Sequence, residues 1–443
     1  MPAFAARLAP VLALLLATAG CALTSAPSAS SPRLPVPVRE TLANGVRVIV
    51  QEHHASDVTA LQLWVRAGGR DEAAEELGLA HYLEHMLFKG TTSRPTGFID
   101  RDVEGVGGRM NAGTSLDYTY YHMVLPATRT APGIELLADI SVNASLDAAV
   151  LDAEKRVVLE EMRLSEDNPR RHLARRLMEA VFEGHPYGRP VIGTPELVRG
   201  LSRETLLAFY RRLYAPESFT LVVVGPVAPR DVIARARAAF ERIPRRGSLP
   251  LPAATPPPLR PRKLEMARPG TQAYLGLAWH APRIDHADVS AVDLLVTILG
   301  QRRSSRLPRT LRDELGLVSA VSSSYAALEA AGAISVTAQM DPANLERAEA
   351  AILDQIRRIR EEGVTEAERR RAVTAAESYR EFQSETVEGR AHALGHAATI
   401  WSVEDELAYL DRVRGVTAAQ LQAAARKYLD PERYVRVAFV PPK

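Results

Sequence analysis

One cysteine stands among 443 residues, at position 21. A chain with a single cysteine closes no internal disulfide, so a disulfide-stapled scaffold and a cysteine-rich metal centre are both excluded. An excess of one charge is missing too. The 55 Lys and Arg face 53 Asp and Glu, a formal net charge of +2, which gives no reason to expect a nucleic acid or other polyanion as partner. Nor is there a membrane-spanning run near the start, since the apolar stretch from Val11 to Ala17 behind Arg7 is too short to cross a bilayer as a helix.

That stretch ends in Thr18-Ala19-Gly20-Cys21. Small residues before a cysteine resemble a bacterial lipoprotein cleavage site, although Thr18 stands where leucine is usual. No other cysteine competes for a role, so Cys21 is the expected lipidation site. Residues 1–21 are then a lipoprotein signal peptide, and a plain secretory peptide cut nearby is the alternative. The expected location is the periplasm of a Gram-negative-type bacterium, on the outer membrane by a lipid anchor alone. Residues 22–38, rich in Ser, Ala and Pro, read as a tether.

What the rest contains is an ordinary globular composition, 46% hydrophobic and 24% charged, with room for more than one core. Alternating apolar residues predict strands at Val46–Val50, Val58–Val65, Tyr118–Leu125 and Thr220–Val224. Helical periodicity covers about 133–145, 148–166, 170–182, 202–213 and 229–243. A proline-rich stretch without periodicity, 244–263, reads as a linker.

Between the early strands lies His81-Tyr82-Leu83-Glu84-His85. As helix, it stacks His81 and His85 at i and i+4 with Glu84 on the same face. Leu77, Leu79, Tyr82, Leu83, Met86 and Leu87 supply the buried stripe, and Asp71, Glu72, Glu75 and Glu76 crowd the expected helix start. Two imidazoles at this spacing can hold one Zn²⁺ and leave positions for a third ligand and a water, while an adjacent carboxylate can take the water's proton. Downstream, 148–167 reads as a second helix whose buried side is marked by Val150, Leu151, Val157, Val158 and Met162. Glu154 and Glu161, two turns apart, share that side. Carboxylates on an apolar stripe call for a cation, so Glu161 can be a third ligand and Glu154 a partner behind the ligands; the alternative is a solvated acidic run, as Glu160 and Glu166 are.

Together these pieces resemble the inverzincin signature of the M16 metallopeptidases, the pitrilysin, insulinase and mitochondrial-processing-peptidase family. The runs from Thr41 (TLANGVRVIV), Gly78 (GLAHYLEHMLFKGT), Asn111 (NAGTSLDYTYY) and His185 (HPYGRPVIGT) follow that family's order. The resemblance implies one Zn²⁺ per chain on His81, His85 and Glu161, Glu84 as general base, and Glu154 orienting the site. It further implies a peptide substrate lying along the strand of Asn111, Ala112 and Thr114. In the second half, Ser304-Ser305-Arg306-Leu307 and Leu311-Arg312 are similar to a segment where an arginine, seven residues before a tyrosine, holds substrate. Arg312 fits the arginine, but the seventh residue on is Ser319, and Tyr325 is out of register. In the family's two-subunit branch one chain brings the metal and the other the arginine–tyrosine pair. The implied assembly is therefore a dimer, with a second copy or with a zinc-less relative. Some members of the family keep the fold and lose the chemistry, so a non-catalytic or weakly active subunit is the rival reading.

The second half also repeats the first. Arg199–Glu217 aligns without a gap on Arg414–Glu432, an offset of 215, and duplication on this scale means two similar domains. At that offset His81 meets Val296, so the fold itself does not require the histidines. The pair His392/His396 also has i, i+4 spacing but no acid between, and His53-His54 reads as a surface strand end. The expected architecture is α+β, with two homologous domains (39–243 with zinc, 264–443 without), each an antiparallel sheet covered by helices around a central cleft.

Overall fold

The computed structural model of the protein describes residues 34–247 and 254–442. Cys21, the signal segment, residues 22–33 of the tether, and residues 248–253 of the linker lie outside the described residues.

Two sheets organise the chain. The first contains β1 (Val38–Thr41), β2 (Arg47–Glu52), β3 (Val58–Val65), β4 (Arg109–Thr114), β5 (Thr119–Pro126) and β6 (Phe219–Gly225), in the order β1-β2-β6-β3-β5-β4. The second contains β7 (Arg262–Ala267), β8 (Ala273–Ala281), β9 (Ala320–Ala327), β10 (Gly332–Met340) and β11 (Val435–Val440), in the order β7-β11-β8-β10-β9. Apart from β1 the two orders are the same. A shift of 215 carries β2 onto β7, and the helix Arg203–Leu213 onto the helix Ala418–Tyr428, residue for residue. The duplication is thus a duplication of topology. Each sheet departs from the all-antiparallel expectation at one pair, β2 with β6 and β7 with β11, which run parallel. Parallel neighbours need a long crossover, and here the rest of each domain supplies it. β7 starts inside the stretch expected to be linker, where proline gives way to the alternating Arg262–Ala267.

The central strands of each sheet are buried on both faces, and the second cover comes from the other domain. On its own side the first sheet packs Leu61, Leu63, Tyr121, Met123 and Leu221 against the helices of its domain. Its opposite face, with Ile49, Ala60, Trp64, Val222 and Val224, receives Val387, Ala391 and Leu394 from the helix Val387–Ile400 of the second domain. Reciprocally, the first-domain helix Pro169–Val181 lays Leu173, Leu177 and Val181 on Ala278, Val435, Val437 and Phe439 of the second sheet. A strand buried on both faces reads as an unbroken apolar run, and every residue of β6 is buried. The fit is close at Gly395, where an added Cβ would stand 2.0 Å from Trp64 Nε1. His392 and His396 belong to this interface, their rings 5.0 and 6.3 Å from Trp64.

The domains are also tied by charge. Arg70, its side chain 5% exposed, sets Nη1 2.9 Å from Asp117 Oδ1 and Nη2 2.8 Å from Glu329 Oε2. The Tyr187 hydroxyl donates to Asp117 Oδ1 (2.6 Å) and accepts from Ala330 N (2.9 Å), while Glu329 N donates to Asp117 Oδ2 (2.9 Å). The turn after β9 is therefore held by the loop before the motif helix and by the turn after β4. Breaking a buried ion pair from one side costs about 3–5 kcal/mol because the remaining charge is stranded. Asp117→Ala is accordingly expected to lower the melting temperature by several degrees in a thermal scan, with Tyr187→Phe much milder. An unchanged melting temperature for the alanine variant would show that the clamp contributes nothing.

Candidate metal centre

The motif helix, Leu79–Leu87, begins at Gly78, whose φ of 97° is left-handed. Only glycine suits that backbone, and a Cβ there would also meet Ile192 O at 2.8 Å and Gly193 Cα at 2.9 Å. The His185–Thr194 segment thus serves as a seat for the helix start. The acids expected in the first turn lie before it, in two short 3₁₀ turns at Gly69–Asp71 and Ala74–Glu76. Glu72 reaches the helix through space: its carboxylate accepts Gly78 N at 3.0 Å and Ala80 N at 2.8 Å, satisfying two amides that the helix leaves open. Burial pushes this carboxyl up to about 8, against the pull of those two bonds.

Leu79, Ala80, Tyr82, Leu83, Met86 and Leu87 are buried in the first core. That leaves His81, Glu84 and His85 half-buried on the opposite side, as the spacing requires. The second helix, Ala148–Asp167, is capped by Asp147, which accepts from Ala149 N and Val150 N. It buries Leu151, Glu154, Val158 and Met162. Val157, expected on the buried side, is 45% exposed, because a stripe at 151, 154, 158 and 162 leaves 157 a full step round the helix. The Tyr82 hydroxyl donates to Leu151 O and pins the two helices together.

The two helices bring three donors to one point. His81 Nε2 lies 3.7 Å and His85 Nε2 3.5 Å from Glu161 Oε2, and one ligand atom from each residue falls within 4.8 Å of the others. Tetrahedral donors about 2.0–2.1 Å from a single ion sit roughly 3.4 Å apart, so the donor set fits a zinc-sized cation as it stands. Burial, aided by His85, holds His81 down to about 4, which keeps its imidazole neutral and available as a ligand. Behind the donors, His85 Nδ1 stands 2.8 Å from Glu154 Oε1, and Lys89 Nζ 3.1 Å from Glu154 Oε2. Glu154 thereby fixes the ring so that Nε2 faces the point of convergence. Lys89 escaped sequence reasoning: it lies in the turn just past the end of the motif helix, where helical spacing no longer says which way a side chain points.

Glu84 is close by yet outside the donor set. Burial raises its carboxyl above the usual range, while the Thr114 hydrogen bond and His85 act the other way. The Thr114 hydroxyl donates to Glu84 Oε2 at 2.6 Å. Thr114, Ala112 and Asn111 all lie on β4, the edge strand of the first sheet. Asn111 is exposed and its Oδ1 accepts from Ala112 N at 2.8 Å, while Ala112 packs toward the first core. Arg312 is not gathered here. It sits on a π-helical turn, Pro308–Glu314, in the second domain with its guanidinium on Asp313 (2.8 and 3.1 Å). The Tyr325 hydroxyl donates to Pro282 O at 2.6 Å and its ring packs in the second core, and Ser319 Oγ donates to Gln339 O. His53 is buried rather than superficial, its Nε2 3.0 Å from Ser384 O of the other domain. A cavity of about 500 Å³ lies between the Pro169–Val181 helix and the second sheet, not at the histidines.

Three candidate metal donors beside a carboxylate that stands outside the donor set, in one half of a duplicated α+β unit, suit metal-assisted hydrolysis. Comparison with known proteins gives the family. The description "Insulinase (Peptidase family M16)" matches residues 47–195 and "Peptidase M16 inactive domain" matches 200–376. A protein of Mycobacterium tuberculosis named an uncharacterized zinc protease is 31% identical over 400 residues, covering 89% of this chain and 91% of its own. A probable mitochondrial-processing peptidase subunit beta of Arabidopsis thaliana is 29% identical over 203 residues, 46% of this chain and 38% of its own. Among solved structures, a protease from Helicobacter pylori superposes with a TM-score of 0.88 at 24% identity, over 92% of this chain and all of that one. An M16 inactive domain from Pseudomonas fluorescens gives 0.84 at 21%, over 92% and 98%. The chain belongs to the M16 peptidase family.

Proposed function

We propose that the chain is a zinc-dependent endopeptidase that hydrolyses peptides or unfolded polypeptide segments. The observation that carries this reading is the convergence of His81, His85 and Glu161 beside a carboxylate, Glu84, that is left free of the donor set. Zinc, when bound, supplies a Lewis acid and lowers the pKa of water. His81, His85 and Glu161 would hold it, and Glu154 keeps the His85 ring aligned. Glu84 accepts the proton of the attacking water and passes it to the departing amine. The free edge of β4 offers backbone hydrogen bonds to an extended peptide. The test is hydrolysis of a quenched peptide library by the purified chain, lost with a chelator and regained with zinc. Fully zinc-loaded protein without turnover would favour the rival, a non-catalytic or weakly active subunit.

Arg312 is paired with Asp313, Ser319 with Gln339, and Tyr325 with Pro282 in the second core. None of these groups is presented as a free substrate clamp, so a zinc-less relative is the proposed source of the arginine–tyrosine pair. Losing one hydroxyl donor costs about 1–3 kcal/mol, leaving the lone chain weakly active. Co-expression with such a relative is expected to raise peptidase activity about tenfold or more, and Ser319→Tyr to recover part of it. A lone chain that is already fast and unmoved by either change would rule the heterodimer out.

A further inference from the structure

We infer that Thr114 is the positioning residue for the general base, tying the Glu84 carboxylate to the strand along which the peptide lies; this rests on the peptidase reading above. The contact is one hydrogen bond, Thr114 Oγ1 to Glu84 Oε2 at 2.6 Å, and among the described residues no other group donates to that carboxylate. A hydroxyl has one proton to give. With it committed to Glu84, Thr114 has only lone pairs left for a peptide, so its part differs from the substrate contact that the family resemblance implies. A glutamate side chain left alone samples several rotamers, few of which put the carboxylate within reach of the attacking water. A short bond to an ionised acceptor is the strong kind and selects one.

Thr114 is itself fixed. It is the last residue of β4, paired with Thr119 of β5, and Ser115 N donates to Tyr118 O at 2.8 Å across the turn that follows. That turn carries Asp117, the acid gripped by Arg70, Tyr187 and the Glu329 amide. The base is therefore anchored, through a single hydroxyl, to a turn that the ion pair and hydrogen bonds of Asp117 hold in place. The duplicated domain offers a comparison. Asn111 pairs with His122 and Ser322 with Thr337, so Thr114 corresponds to Tyr325. There the hydroxyl donates to the Pro282 carbonyl and the half-buried ring packs against the second core. The hydroxyl-to-carboxylate bond belongs to the metal-bearing copy alone, which separates it from the needs of the fold.

The test compares Thr114→Val, which keeps the shape and removes the hydroxyl, with Thr114→Ser, which keeps the hydroxyl. In the full chain, Thr114→Val should keep its zinc, hold KM within about twofold and lose about 10- to 100-fold in kcat, the range for one charge-assisted hydrogen bond. Thr114→Ser should return kcat to within about threefold of wild type. Adding Thr114→Val to Glu84→Gln should cost nothing further, since the two act through one group. A crystal structure of Thr114→Val gives a readout independent of turnover: the Glu84 carboxylate should leave its observed place or split between rotamers. A Glu84 that stays put, or a loss confined to KM and equal in both variants, overturns the positioning role. Wild-type turnover in Glu84→Gln would instead overturn the base reading itself, so the two failures are told apart.

Discussion

Replacing Glu84 by glutamine is expected to leave the metal in place and to remove turnover. Glu84 is not one of the converging donors, and glutamine matches it in size, so the helix Leu79–Leu87 and its two imidazoles should be undisturbed. The amide oxygen can still accept the Thr114 hydroxyl. What the amide cannot do is take a proton from water, and a positioned general base contributes about 10²–10⁴-fold to rate. Burial lifts the Glu84 carboxyl above the usual range, bringing its basicity nearer to neutral pH, where a base works best. Metal analysis and steady-state kinetics on the same preparation decide the matter. Full zinc with wild-type kcat would move the base elsewhere, and lost zinc would place Glu84 among the ligands.

Much of this site was legible in the amino-acid order because it depends on local geometry. A helix puts i and i+4 on one face whatever surrounds it, so His81 and His85 were bound to meet. The same regularity placed Glu154 and Glu161 on one side of the Ala148–Asp167 helix. The repeat was legible because aligned residues such as Val222 and Val437 do the same job in each copy, both buried in β-strands. What stayed hidden depended on partners far away in the chain. An amphipathic pattern announces that Leu173 and Leu177 are buried, but not that a second-domain sheet buries them. The same holds for His53, which reads as a surface strand end until Ser384 of the other domain covers it. Glu72 looked like a first-turn acid because capping through space leaves no periodic trace. Val157 was misplaced because two adjacent valines were both assigned to a stripe wide enough for one.

Removing any one of the three donors is expected to abolish zinc binding, the largest effect predicted for this protein. Two protein ligands leave a divalent ion half-solvated, whereas stable sites in proteins keep at least three. The three variants should differ in what else they disturb. His85→Ala removes a ligand and also strips Glu154 of the ring it orients, leaving a buried carboxylate with Lys89 alone. His81→Ala removes a half-buried ring with fewer ties, because among the described residues its Nδ1 has no hydrogen-bond partner. Glu161→Ala acts at a side chain 43% exposed and should cost the fold least. Metal analysis after dialysis should find about one zinc in the wild type and almost none in each variant. A thermal scan separates the effects further, since a ligand that binds only the folded state at 1,000 times its Kd adds about 4 kcal/mol of stability. Wild type should therefore melt higher with zinc than with chelator, and all three variants should melt the same in both. Glu154→Gln, which leaves all three donors, should still take up zinc but with about 10–100-fold weaker affinity. Stoichiometric zinc in all three alanine variants would show that the ion is held elsewhere, and the donor assignment would fall with it.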